Sequence, residues 1–482
     1  MSSLFSSKFV RILKTLSPEE WKSFELWLKS PWANSNKNLV RLLDKLKKYS
    51  PEFTDAKLTK EKLFKQVLPD GKFSLRRMNN LLSEGYLTAE RFLVFQNLSI
   101  QQNLQKDLLT KELQSRYLDE WFFKDVELEI ERLEGMPVKE WEDHLQLFQL
   151  HRRVYHHPNQ SSRMLPGSAT IVRMGEELDL LYLLERAAII NEKIFRNRIL
   201  KNENHEIEEE LELWQLASKG INDTAIDFYR RRFAYEEDKM LEQYLDLRKL
   251  FFAHFEELNK KEQKIHLVSL LNDTTKLTRA KVLSIVEFLP LYKLGLETEI
   301  ILHQGQLTHH TYIAIVSASN AKKDFDYTKL FIETYTEKLG TQYQADGLNW
   351  AKAHLANRKK EYMVCLDILL THNYKTHLFQ LLSKLLTTQT YFDLYLQDAS
   401  YESYLFTYFD SFEKWLLREK IGSSYTKKGF LRFIQRSRTM AKGYASPNFN
   451  PEKIQAIFTN EKNIQALNWL LQKKEEILRL RK

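Results

Sequence analysis

"LNWAKAHLANRKKEYMVCLDILL", Leu348 to Leu370, reads as a pair of helices joined by a turn, and it is the clearest unit of a pattern that runs from about Asp223 to Phe412. Helix signals recur through the rest of the chain, and strand signals are almost absent. Glycine is scarce, 13 residues in 482, against an average usage of roughly 7%. Folds that depend on tight turns and phosphate-cradling loops are disfavoured by that scarcity. The expected fold is all-α, an N-terminal helical domain followed by an α-solenoid of helix pairs.

Residues 348–370 resemble the tetratricopeptide repeat, in which small residues sit where two helices cross closely and an aromatic lies near the turn between them. Ala353 and Cys365 take the small positions here and Tyr362 the aromatic one. Asn349 stands where that family favours Trp, and Trp350 follows one place later. A second copy, "YIAIVSASNAKKDFDYTKLFIETY", sets Phe325 against Tyr362 at a spacing of 37, so the resemblance spans residues 311–370. It implies a tetratricopeptide-like solenoid.

The N-terminal segment has its own helix punctuation. Ser17, Pro18 and Glu20 form a capping box, Thr59 caps a helix that turns Leu63, Phe64 and Val67 inward, and Ser74 opens another with Leu75, Met78, Leu81 and Leu82 on its buried side. Leu39, Leu42, Leu43 and Leu46 recur at helical spacing between them. The stretch "FELWLKSPWANSNKNLVRLLDKL" is similar to the opening of an uncharacterised family of large bacterial all-helical proteins, a resemblance that implies no activity. "HHPNQSSRMLPGSA", His156 to Ala169, breaks the helical pattern. The expected organisation is therefore a helical domain over 1–157, a linker over 158–168, an acidic helical-repeat region over 169–412 and a basic helical segment over 413–482.

Charge is unevenly distributed, leaving the 1–157 domain basic to neutral. The net charge is +9, with 17 basic and 8 acidic residues in 1–82, 16 and 6 in 413–482, and 40 and 50 between them. Two basic ends flank an acidic middle, an arrangement that attracts an anionic partner or draws the ends of one copy onto the middle of another. A single cysteine, Cys365, leaves no disulfide framework. With no run of eighteen apolar residues and no apolar leader, no transmembrane segment is expected and a cytoplasmic location is. Phe5, Phe9, Ile12, Leu13 and Leu16 share one face near the start, with Lys8, Arg11 and Lys14 outside it. That face suits either a core helix or a membrane-surface helix.

Candidate chemistry is sparse. His151, His156, His157, His309 and His310 cluster without the four-residue spacing that aims two imidazoles at one metal ion. Arg152 with His157 fits R-x4-H, which resembles the signature of all-helical HEPN-type ribonucleases, and Arg248 with His254 and Arg198 with His205 fit a looser version. About two such matches are expected by chance in a chain of this composition. No P-loop, dinucleotide fingerprint, nucleophile elbow or zinc-protease motif occurs. Cys365, with Val364 and Leu366 beside it, reads as an inert buried thiol. No cofactor and no catalytic activity are expected.

The most charged stretch is "YTKKGFLRFIQRSRTMAKGY", Tyr425 to Tyr444, with six Lys or Arg and no acid. Wound as a helix, it gathers Lys428, Arg432, Arg436, Arg438 and Lys442 on one side and Phe430, Phe433, Ile434, Ser437, Met440 and Ala441 on the other. Its aromatic residues are then core, which favours phosphate or carboxylate contact over base stacking. The expected function is a non-catalytic helical-repeat scaffold for a protein partner. A nucleic-acid binder using the basic ends is the alternative, and a helical ribonuclease stands behind it.

Overall fold

The computed structural model describes residues 4–53, 58–159, 167–200, 202–419, 423–458 and 463–481. Among these the chain is all-α: twenty-three helices, a few single 3-10 turns and no strand beyond two isolated bridges. It forms two compact units, Met1–Ile221 and Asn222–Lys482.

The first unit opens with α1 (Lys8–Leu13), α2 (Pro18–Lys29), α3 (Lys37–Lys47), α4 (Lys60–Val67) and the long α5 (Leu75–Ile100). The capping box is present: Glu20 N–H donates to Ser17 Oγ and Ser17 N–H to Glu20 Oε2, at 3.2 and 2.7 Å. Thr59 and Ser74 cap α4 and α5 from one side only, their hydroxyl oxygens accepting Lys62 N–H and Arg77 N–H at 3.2 and 3.3 Å. Phe9, Leu13, Phe24, Leu42, Leu46, Phe64, Met78 and Leu82 form one core. Leu75, at the first position of α5 and a turn ahead of Met78, stays exposed. α1 therefore uses its apolar face internally, against α5. The approach is close, because Gly85 of α5 lies under the Phe9 ring and a Cβ there would come within 2.8 Å of it.

Next come α6 (Gln102–Ser115), α7 (Asp119–Glu134), α8 (Trp141–Tyr155), α9 (Gly167–Ile199) and α10 (Glu208–Ala217). Phe122, Val126, Leu133, Leu147, Leu150 and Val154 build a second core. α8 and α9 pack along each other on either side of the expected linker 158–168, whose last two residues, Gly167 and Ser168, already belong to α9. Residues 160–166 of that linker lie outside the described residues.

The second unit contains α11 (Thr224–Asp238), α12 (Leu241–Ala253), α13 (Lys260–Arg279), α14 (Phe288–Glu297), α15 (His309–Ala321), α16 (Phe325–Tyr335), α17 (Thr341–Arg358), α18 (Tyr362–Thr371), α19 (His377–Gln397) and α20 (Glu402–Arg418). It ends with α21 (Ser424–Ala445), α22 (Pro451–Gln455) and α23 (Leu467–Leu480). α15 packs on both α16 and α17, and α17 on both α18 and α19. Ala353 and Cys365 are fully buried in one core with Trp350, Phe331 and Phe379, where α17 packs on α18.

The correspondence of Phe325 and Tyr362 has a backbone counterpart. Asn320-Ala-Lys-Lys-Asp-Phe325 and Asn357-Arg-Lys-Lys-Glu-Tyr362 make the same turn. Lys323 and Lys360 stand in left-handed conformation, at φ 63° and 65°. Asp324 N–H returns to Ser319 O at 3.0 Å, and Glu361 N–H to Ala356 O at 2.9 Å. These bonds close the helix ends as a glycine-type C-cap does, with Lys where Gly is usual. Lys239 and Lys281, after α11 and α13, have positive φ as well.

Buried polar links tie alternate helices together. Asn320 Nδ2 of α15 lies 2.8 Å from His354 Nδ1 of α17, and Asn357 Nδ2 of α17 donates to Thr390 Oγ1 of α19 at 3.0 Å. Burial, with the Arg358 charge adding to it, pushes the His354 imidazole down to about 3. The neutral ring thus accepts from Asn320. Asp346 of α17 takes Thr376 N–H at 2.8 Å, Thr376 Oγ1 at 2.7 Å and His372 Nε2 at 2.9 Å. Burial alone would raise its pKa, but these bonds outweigh it and hold the carboxyl below its ordinary value.

Candidate interaction surfaces

Helix α21 carries the five basic residues that the sequence groups together. Ser423 caps it, accepting Thr426 N–H at 3.1 Å. Its apolar side is buried as the helical winding predicts, with Phe433, Ile434, Met440 and Ala441 fully enclosed. Phe430 meets Phe412 of α20 at 6.1 Å, and Phe433 meets Trp469 of α23 at 5.8 Å, ring centre to ring centre. Neither ring is available to a base.

On the other side Lys428 and Lys442 are exposed, whereas Arg432, Arg436 and Arg438 are half-buried. Arg438 spans two carboxylates of α20, Glu413 at 2.8 Å and Asp410 at 2.7 Å, and covers the Phe409 ring. Arg432 Nη1 reaches Asn463 O at 3.4 Å. Part of the positive charge is thus spent inside the fold.

The residues considered for catalysis are held in separate environments. His157 is buried, stacked on Phe122 at 4.8 Å and edge-on to Phe123 at 4.7 Å, with Asp119 3.5 Å from its Nε2. Arg152 is exposed. Arg248 pairs with Glu287 at 2.6 Å, while His254 and His205 each pair with a neighbouring glutamate, Glu257 and Glu203. His156 is exposed and edge-on to Tyr155, and burial holds His151 below the ordinary imidazole range. His309 stacks on Tyr343 and is tilted against His310. Among the described residues no three His, Cys, Asp or Glu side chains converge as a metal site. Burial pushes the Cys365 thiol up to about 11, leaving it protonated at neutral pH.

A feature absent from the sequence reading lies where α18, α19 and the start of α20 meet. Met363, Leu366, Asp367 and Leu370 recur at i, i+3, i+4 and i+7 on one face of α18. Across from them stand Ser400, Tyr401 and Tyr404, with Tyr391 of α19 beside Tyr404. Together they line an open groove of about 710 Å³. The Tyr391 and Tyr404 rings are nearly parallel, 6.4 Å apart, and Tyr401 Oη lies 3.5 Å from Met363 Sδ. Met363, Leu370 and Tyr404 are 60%, 56% and 61% exposed, so this wall presents apolar and aromatic surface to solvent. No protein-family model, curated protein or solved structure matches the chain.

The helical spacing in α18 was a signal visible in the sequence, but it reads equally as a core face. Only its meeting with tyrosines of two other helices distinguishes it.

Proposed function

We propose that this chain is a non-catalytic scaffold whose helix pairs stack as a tetratricopeptide-like solenoid and present an extended surface to a protein partner. The observation that carries the reading is the groove of α18, α19 and α20, where Met, Leu and Tyr side chains remain in water. Solvent-exposed apolar clusters rimmed by polar groups mark interaction sites, and Tyr and Met are enriched at such sites. Packing of α15 on α16 and α17, and of α17 on α18 and α19, supports the solenoid part of the reading, because each repeat of a solenoid touches its neighbours.

The nucleic-acid reading has weaker support. Phosphate contact needs free cations, and Arg438 already serves Asp410 and Glu413. The ribonuclease reading has less still, since His157 is packed between phenylalanine rings.

Copurification from native cells with and without nuclease tests the function. Protein partners that survive nuclease, and that are lost when Leu370 and Tyr404 are both changed to Asp, are expected. Recovery of nucleic acid, with every protein lost on nuclease treatment, would contradict the reading.

A further inference from the structure

The groove also carries information about its occupant. Residues 361–371 and 385–413, which build α18, the latter part of α19 and most of α20, contain seven carboxylates and no Lys or Arg: Glu361, Asp367, Asp393, Asp398, Glu402, Asp410 and Glu413. Asp393 is buried against Lys473 at 2.5 Å, and Asp410 and Glu413 hold Arg438. The remaining four, Glu361, Asp367, Asp398 and Glu402, are all exposed. Asp367 lies in the groove itself, and Glu402 sits between the lining residues Tyr401 and Tyr404 in sequence. An apolar, aromatic channel with the exposed carboxylate Asp367 in its wall, and with exposed Glu402 between two of its lining residues in sequence, selects for apolar anchors flanked by positive charge.

We infer that the groove binds a basic amphipathic helical peptide segment of a partner protein, its apolar side seated on Met363, Leu370 and Tyr404 and its Lys or Arg side chains facing Asp367 and Glu402. This inference rests on the scaffold reading above and names its partner. The dimensions suit a helix laid in a groove, since α18 has ten residues and offers about 15 Å of wall. The phenol of Tyr391, which lines the groove, is held above its ordinary value by burial and stays neutral.

The test uses the full chain and two short synthetic amphipathic peptides with the same Leu pattern, one with Lys on its polar face and the other with Glu. Fluorescence anisotropy should show the Lys peptide binding in the micromolar range and the Glu peptide at least about tenfold more weakly. Added salt should weaken the first. Asp367→Lys combined with Glu402→Lys should abolish the preference for Lys, with helicity by circular dichroism unchanged, because both side chains are exposed. Equal binding of the two peptides, or binding that survives the charge reversal, would overturn the inference. A concentration-dependent dimer in sedimentation, lost in the same double variant, would also overturn it and assign the groove to a second copy of this chain. If neither peptide binds while protein partners are still lost from the Leu370→Asp, Tyr404→Asp variant, the basic-peptide inference falls and the scaffold reading stands.

Discussion

Two surfaces of the second unit treat charge and apolar area in opposite ways. On α21 the apolar residues are enclosed and the cations are partly committed: Phe433 and Met440 are fully buried, and Arg438 is bound to Asp410 and Glu413. On α18 and the start of α20 apolar residues stay exposed, and the carboxylates beside them have no cation on their own segments. The more conspicuous charge run is thus the more self-contained surface. A charged stretch that packs beside carboxylates is partly neutralised, as Arg438 is by Asp410 and Glu413, whereas carboxylates beside exposed aromatics leave both available to a partner.

That contrast is sharpest under truncation of an aromatic on each surface. Phe433→Ala should cost about 3–5 kcal/mol, as emptied aromatic core sites do. Tyr404→Ala should stay within about 0.5 kcal/mol, as exposed positions do. Urea unfolding midpoints of the two variants measure the difference, and similar losses in both would make Tyr404 a core residue and remove the groove.

A second effect tests the helix packing beneath the groove. Ala353→Leu should overpack the crossing of α17 and α18 and lower stability by about 1–3 kcal/mol. An unchanged unfolding midpoint would refute the close crossing.

Acid should act on the same helix row. The His354 pKa is about 3 in the folded chain, below the unfolded value of roughly 6.5. The unfolded state therefore binds the proton first. Stability is complete above about pH 6.5 and falls as the pH drops from there toward 3. By pH 5 the loss from this group should be on the order of 1–2 kcal/mol. His354→Gln should flatten the stability profile between pH 6.5 and 5, and an unaltered slope would show that His354 is not held neutral.

The smallest effect probes the internal use of charge on α21. Arg438→Gln should cost about 0.5–1 kcal/mol through its lost carboxylate contacts, while Lys442→Gln should cost nothing measurable. Thermal melts of both variants check this.

The all-α fold was legible because its signals are local. Ser17 with Glu20, Thr59, Ser74 and the leucines after Asn38 each act within one or two helical turns, and each of these helices forms where those residues stand. The repeated turn was half legible. The match of Phe325 to Tyr362 was visible, but not the left-handed Lys323 and Lys360 that close the helices, because Lys carries no such signal where Gly would. The two sides of α21 could be wound from sequence alone, yet the capture of Arg438 by Asp410 and Glu413 depends on how α20 packs. The groove was hidden for the same reason: Met363, Tyr391 and Tyr404 come from three helices, and no single window of sequence contains them.

The proposed function has the chain engage protein through α18–α20 and not nucleic acid through α21. Its most direct test is one titration series at physiological salt, with labelled random-sequence RNA and the Lys-bearing amphipathic peptide offered to the same protein. The peptide should bind in the micromolar range and the RNA should not, and changing Lys428, Arg432, Arg436, Arg438 and Lys442 all to Gln should leave peptide binding intact. Micromolar RNA binding that those five changes abolish, with no binding of the peptide, would contradict the account.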